Sequence, residues 1–200
     1  MKKIVATVVF IAMAYANTTV CMEIVVKRDL TDDLFSYLNC HDTIFEYKEN
    51  ACDQVERLVG MGADVNKHEK RMVSMFCGCT PLYKAIYEKC ERCVRVLVKK
   101  ADFTIFPSTR TQCTYIDIAL MYKSYKAVKI LFDAGVPADS KDDEHGKSPL
   151  FYEVQKGCFD GVKALLDCAG PVLVTPEILE KASGLDNKSI CALLNDVCKK

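Results

Sequence analysis

The segment Asp143-Glu-His-Gly-Lys-Ser-Pro-Leu-Phe-Tyr-Glu-Val-Gln-Lys-Gly-Cys-Phe-Asp-Gly-Val-Lys-Ala-Leu-Leu-Asp-Cys-Ala169 decides how this chain folds. Gly146 permits a turn with positive φ, and Ser148 is a good helix N-cap. Pro149 suits the first helical position, where its missing N–H is not needed. Leu150 and Val154 then share one face of a short helix, which Gly157 can end in the left-handed conformation. Val162, Leu165 and Leu166 give the apolar stripe of a second helix. A turn, a helix, a turn and a helix in about thirty residues cannot bury their apolar face alone and need copies alongside.

The copies are present. Gly78-Cys79-Thr80-Pro81-Leu82-Tyr83-Lys84-Ala85 opens the same unit, with Cys93 to Leu97 as its second helix. Thr114 to Ala119 and Ala127 to Leu131 form another. Thr80, Thr114 and Ser148 are successively 34 residues apart. An earlier copy, about Asp42 to Asn66, lacks the Thr-Pro but keeps Val55-Glu56-Arg57-Leu58-Val59 and Gly62-Ala63-Asp64-Val65-Asn66. Over roughly residues 40–170 the chain resembles the ankyrin-repeat family, whose period is about 33.

The resemblance implies an all-α solenoid of stacked helix-turn-helix units, with about four central repeats between capping repeats. Leu30, Leu34 and Leu38 form an amphipathic stripe that fits an N-terminal cap. Thr175-Pro176-Glu177 opens a C-terminal cap that closes with the helix from Ser189 to Val197. Residues 17–200 are therefore expected to form one domain, monomeric on its own. The resemblance also implies a protein partner, bound through the hairpin-loop tips and the concave side of the first helices. Candidate contacts in the tips are Lys70, Arg71 and Phe76, then Phe106 and Arg110, then Asp142, Glu144 and His145. On the first helices they are Glu49, Asn50, Tyr87, Glu88, Met121, Tyr122, Gln155 and Lys156. Phe103, Phe106 and Pro107 also suit a staple of the long hairpin.

The N-terminus reads as an export signal. Lys2 and Lys3 precede an apolar run from Ile4 to Ala14, and Ala14-Tyr15-Ala16 fits small-x-small cleavage, so residues 1–16 are expected to be removed. The stretch from Ile4 through Ala16, about 13 residues, falls short of the roughly 20 that span a bilayer. The Lys-Lys start points to a bacterial chain with a periplasmic destination, or release to the medium. The formal charge is zero, and loss of Lys2 and Lys3 would leave about −2. Without a basic stripe and interleaved aromatics, nucleic acid is not an expected partner.

Twelve cysteines in an exported chain point to disulfides. The repeat register sorts Cys21, Cys40, Cys77, Cys79, Cys113, Cys168 and Cys198 towards the hairpin-loop end. Cys52, Cys90, Cys93, Cys158 and Cys191 fall near the helix–helix turns. Candidate bridges are Cys168–Cys198, Cys77 or Cys79 with Cys113, Cys158–Cys191, and Cys52 with Cys90 or Cys93; buried free thiols are the alternative. Cys77, Cys79, Cys90 and Cys93 do not make a zinc site. Eleven helical residues separate Cys79 from Cys90 by roughly 16 Å, whereas Zn–S bonds are about 2.3 Å. No metal or cofactor is expected.

Cys90-Glu91-Arg92-Cys93 lacks the βαβ setting of a thioredoxin-like redox centre. His41, His68 and His145 lie in separate predicted loops, and no catalytic constellation stands out. Some bacterial exported ankyrin-like proteins act as immunity factors encoded beside secreted toxins. The resemblance thus implies a non-enzymatic module that occludes a partner, such as a toxin or effector enzyme. The alternatives are a secreted effector that binds a host protein, and a thiol-redox protein using Cys90 and Cys93.

Overall fold

The computed structural model describes residues 30–38, 46–70, 77–110, 113–137, 146–185 and 187–199, with only the helical backbone described for 46–50. The expected signal peptide, Cys21, Cys40 and His41 lie outside the described residues. Five helix pairs follow one another within them: α1 (Leu30–Leu38) with α2 (Glu46–Gly60), α3 (Pro81–Tyr87) with α4 (Glu91–Leu97), α5 (Tyr115–Met121) with α6 (Tyr125–Asp133), α7 (Pro149–Gln155) with α8 (Phe159–Ala169), and α9 (Pro176–Gly184) with α10 (Lys188–Cys198). A 3₁₀ turn over Gly170–Leu173 joins the last two pairs.

Each first helix starts for a local reason. Thr80, Thr114 and Ser148 accept hydrogen bonds from the amides of Tyr83, Asp117 and Phe151 at 3.3, 3.2 and 3.3 Å. Asp117 returns the bond by accepting from the Thr114 amide at 2.9 Å, which completes a capping box. Pro81 and Pro149 take the first helical position; Tyr115 stands there in the middle repeat and sends its hydroxyl back to Thr80 Oγ1 at 3.0 Å. Each of these helices ends after about two turns at a left-handed residue: Lys89 (φ 54°), Lys123 (φ 54°) and Gly157 (φ 67°). Those three positions also repeat every 34 residues.

The stack has two rows. The first helices α1, α3, α5, α7 and α9 pack each on the next, and so do the second helices α2, α4, α6, α8 and α10. Between the rows runs a continuous apolar strip that includes Leu34, Val55, Leu82, Val94, Ile116, Val128, Leu150, Val162, Ile178 and Ile190. Such side chains contribute about 1.5–3 kcal/mol each when fully buried. Nearest-neighbour packing of this kind makes stability a property of the array rather than of any one unit.

Two details differ from the expected register. Leu30–Leu38 packs against α2 and supplies the first helix of that repeat, rather than standing in a separate cap. Consequently Glu49 and Asn50 fall within α2, in the second-helix row, and not on the groove side. The α2 sequence is helical over 15 residues, leaving no break at which a short first helix could end.

Between repeats, the chain returns in hairpin fingers that pair edge to edge. Glu69 and Cys79 join by an amide–carbonyl bond of 2.8 Å, and Thr80 donates its amide to the Pro107 carbonyl at 2.9 Å. Gly78 (φ 81°) lies beneath Thr109, where an added Cβ would come within 2.2 Å of Oγ1. Thr109 itself donates its amide to the Gly78 carbonyl at 2.7 Å.

Candidate partner-binding face

The first-helix row presents a cluster built from two neighbouring repeats. Tyr83 and Tyr87 lie one turn apart on α3, and Tyr122 follows α5. The Tyr83 and Tyr122 hydroxyls meet at 2.8 Å. The Tyr87 ring stands edge-on to Tyr122, with centroids 4.7 Å apart. Burial, followed by the hydrogen bond to Tyr122, pushes the Tyr83 phenol well above its ordinary value. Beside the rings, Lys84 Nζ pairs with Glu88 at 2.9 Å, with both side chains at or below 10% exposure, and lies 5.8 Å from the Tyr87 centroid. Met121 projects into solvent at 52% exposure. Of the expected groove residues, Tyr87, Glu88, Met121 and Tyr122 therefore gather in one place, while Gln155 ends α7 and is exposed. Tyr83 and Lys84 belong to the same cluster and were missed by the sequence reading. Their 3- and 4-residue offsets from Tyr87 and Glu88 are the signal that pointed to them.

The finger residues sit elsewhere. Lys70 and Arg110 are exposed, and Phe106 is 48% exposed. Pro107 is buried and Phe103 half-buried against the core, standing edge-on to Tyr115 with centroids 6.0 Å apart. The three aromatic and proline positions thus divide between the staple role and an exposed tip. His68 hydrogen-bonds the Phe106 carbonyl at 3.0 Å through a ring nitrogen, so it ties two fingers together. Arg71, Phe76, Asp142, Glu144 and His145 lie outside the described residues.

At the far end of the first-helix row, Phe151, Glu177, Glu180, Lys181 and Leu185 line a shallow cleft between α7 and α9. Lys147 and Lys181 hold their ammonium groups 4.9 and 5.9 Å from the Phe151 centroid. Lys147 also pairs with Glu177.

Cys52, Cys77, Cys79, Cys90, Cys93, Cys158, Cys168, Cys191 and Cys198 are free thiols. Cys79 lies 3.7 Å from the Ser108 hydroxyl, and Cys158 lies 3.4 Å from the Tyr125 hydroxyl. On the second-helix row the sulfur of Cys52, from α2, is 3.3 Å from both Cys90 and Cys93. Hydrogen bonding from the Cys93 thiol, against the opposing effect of burial, holds the Cys90 thiol down at about 5. Cys93 is pushed upward by that same partnership and by burial. The intervening helix does keep Cys77 and Cys79 in a different finger. Cys52, from the preceding repeat, instead joins Cys90 and Cys93.

Residues 44–142 match the family model for ankyrin repeats, in three copies. No curated protein matches the chain. No helix among the described residues is long and apolar enough to cross a membrane. Ankyrin-repeat domains are typically binding modules without catalysis, and their repeats indicate a protein partner. The matched segment covers α2 and the two pairs α3–α4 and α5–α6, while the same two-row packing includes α1 before it and runs on through α10. Residues 44–142 match ankyrin repeats and the fold is that of an all-α ankyrin solenoid, whose repeats indicate a protein–protein interaction module.

Proposed function

We propose that this chain is an exported binding module that docks one partner protein on its first-helix row and occludes it, acting in the periplasm as an immunity factor against a secreted toxin or enzyme. The observation that carries the docking face is the Tyr83–Tyr122–Tyr87 cluster beside exposed Met121. Tyrosine and methionine are enriched at interface cores, and rings already fixed by neighbours lose little entropy on binding. Export is supported by Lys2 and Lys3, the apolar run to Ala14 and the Ala14-Tyr15-Ala16 site. The immunity role rests on analogy with exported ankyrin-like proteins.

The test is capture with the full chain, tagged at its C-terminus, expressed in the producing cell and compared with Tyr87→Ala/Met121→Ala. The expected result is one stoichiometric partner whose enzymatic activity falls in the complex, with affinity at least about tenfold weaker for the variant, as loss of a hot spot of about 1.4 kcal/mol gives. An intact complex with full partner activity would overturn occlusion. Unchanged affinity in the variant would move the docking face elsewhere.

A further inference from the structure

The sulfurs of Cys52, Cys90 and Cys93 all lie within 4.8 Å of one another, two of the separations being 3.3 Å. We propose that these three cysteines form a binding site for a single Cu(I) ion, held by three thiolates contributed by two adjacent repeats.

The geometry fits. Three sulfurs around one ion at about 2.3 Å are about 4.0 Å apart in a trigonal plane. The observed separations, 3.3 Å at the short side and no more than 4.8 Å at the long, bracket that value. Cys52 and Cys93 are buried, at 8% and 4% exposure, while half-buried Cys90 gives access from solvent. Rigid packing of α2 against α4 holds the ligands in place.

The chemistry of the donor set selects the ion. Thiolates prefer soft cations such as Cu(I) and zinc, whereas carboxylates suit harder ones. The nearby carboxylates of Asp53 and Glu56 are both engaged by Arg92, the latter at 3.2 Å, which leaves an all-sulfur set. Structural zinc is almost always four-coordinate, and the cluster offers three ligands. Cu(I), a d¹⁰ ion content with three soft donors, matches that number. Binding releases the thiol protons and involves no change of oxidation state. A disulfide from Cys52 to either partner removes two of the three donors, so the site exists only in reduced protein.

This site is independent of the docking face, being on the other helix row. Reduced full-length protein would be titrated anaerobically with Cu(I) against a chromophoric Cu(I) chelator, with X-ray absorption to count sulfur neighbours. The expected result is one equivalent retained against the chelator with three sulfurs around it. Cys52→Ser and, separately, Cys90→Ser should weaken that equivalent by at least about 100-fold, with far-UV circular dichroism confirming the fold. Cys168→Ser should leave it unchanged. Retention of the same tight equivalent in either folded variant, Cys52→Ser or Cys90→Ser, or preferential retention of Zn(II) with four ligands, overturns the assignment. Half-buried Cys90 keeps the test decisive if the substitution at buried Cys52 unfolds the chain.

Discussion

Glu153 and Gly161 fit together as one unit across the α7–α8 pair: a Cβ on Gly161 would stand 2.1 Å from Glu153 Oε2. One and two periods earlier the corresponding residues are Ala119 with Ala127 and Ala85 with Cys93. A larger side chain on the first helix has been matched by a smaller one on the second. The carboxylate is 2% exposed and meets Lys156 Nζ at 2.9 Å.

That complementarity makes Gly161→Ala destabilising despite the better helix propensity of alanine, by about 1–3 kcal/mol, as in other overpacked sites. Glu153→Ala should relieve the clash, so the double variant should be more stable than Gly161→Ala alone. Urea unfolding of the four members of the cycle measures the coupling. Additive effects would mean the two residues do not share that space.

Lys89 and Lys123 adopt the left-handed conformation that Gly157 adopts at the equivalent place. A side chain in that region costs about 1–2 kcal/mol. Lys89→Gly and Lys123→Gly should therefore each raise stability by about 1 kcal/mol, less the added freedom of glycine in the unfolded chain. A rise in the urea midpoint at unchanged slope is the expected signature.

The Lys84–Glu88 pair is nearly closed off from water, at 4% and 10% exposure. Removal of one partner takes away the opposite charge 2.9 Å from a nearly buried ion, so Lys84→Ala should be destabilising, by up to about 3–5 kcal/mol. Lys84→Met with Glu88→Leu should recover most of that loss, because an apolar pair of similar volume requires no charge desolvation. Thermal unfolding of both variants distinguishes a pair needed for stability from one retained for binding. If Lys84 and Glu88 serve the docking face, the double variant will be stable yet bind the partner weakly.

Burial raises the Tyr115 phenol from 10.0 to about 12, with the Thr80 hydrogen bond acting in the opposite sense. Above pH 10 the unfolded chain loses this proton while the folded chain keeps it. The unfolded state then binds fewer protons, and stability falls as pH rises towards about 12. Below pH 10 the contribution is complete. Burial raises Tyr83 as well, adding to the same slope. Urea midpoints measured from pH 9 to 11.5 should decline, and less steeply in Tyr115→Phe.

The sequence by itself determined the repeating unit and the ends of its helices. Thr80, Thr114 and Ser148, with Pro81 and Pro149, act within four residues of themselves, so capping and proline geometry are local and can be read directly. The period and the alternation of apolar faces then required neighbours and hence a stack. It also placed Tyr87, Glu88, Met121 and Tyr122 on successive first-helix ends. What only the tertiary structure decided are the contacts between repeats, where partners come from separate helices. Tyr83 with Tyr122, Tyr115 with Thr80, and Cys52 with Cys90 and Cys93 are 35 to 41 residues apart in all. Whether such atoms meet depends on the offset with which one helix pair settles on the next. The pairing of α1 with α2 had the same origin: without a Thr-Pro start, only packing of Leu34 and Leu38 into the apolar strip shows which helix fills the inner row.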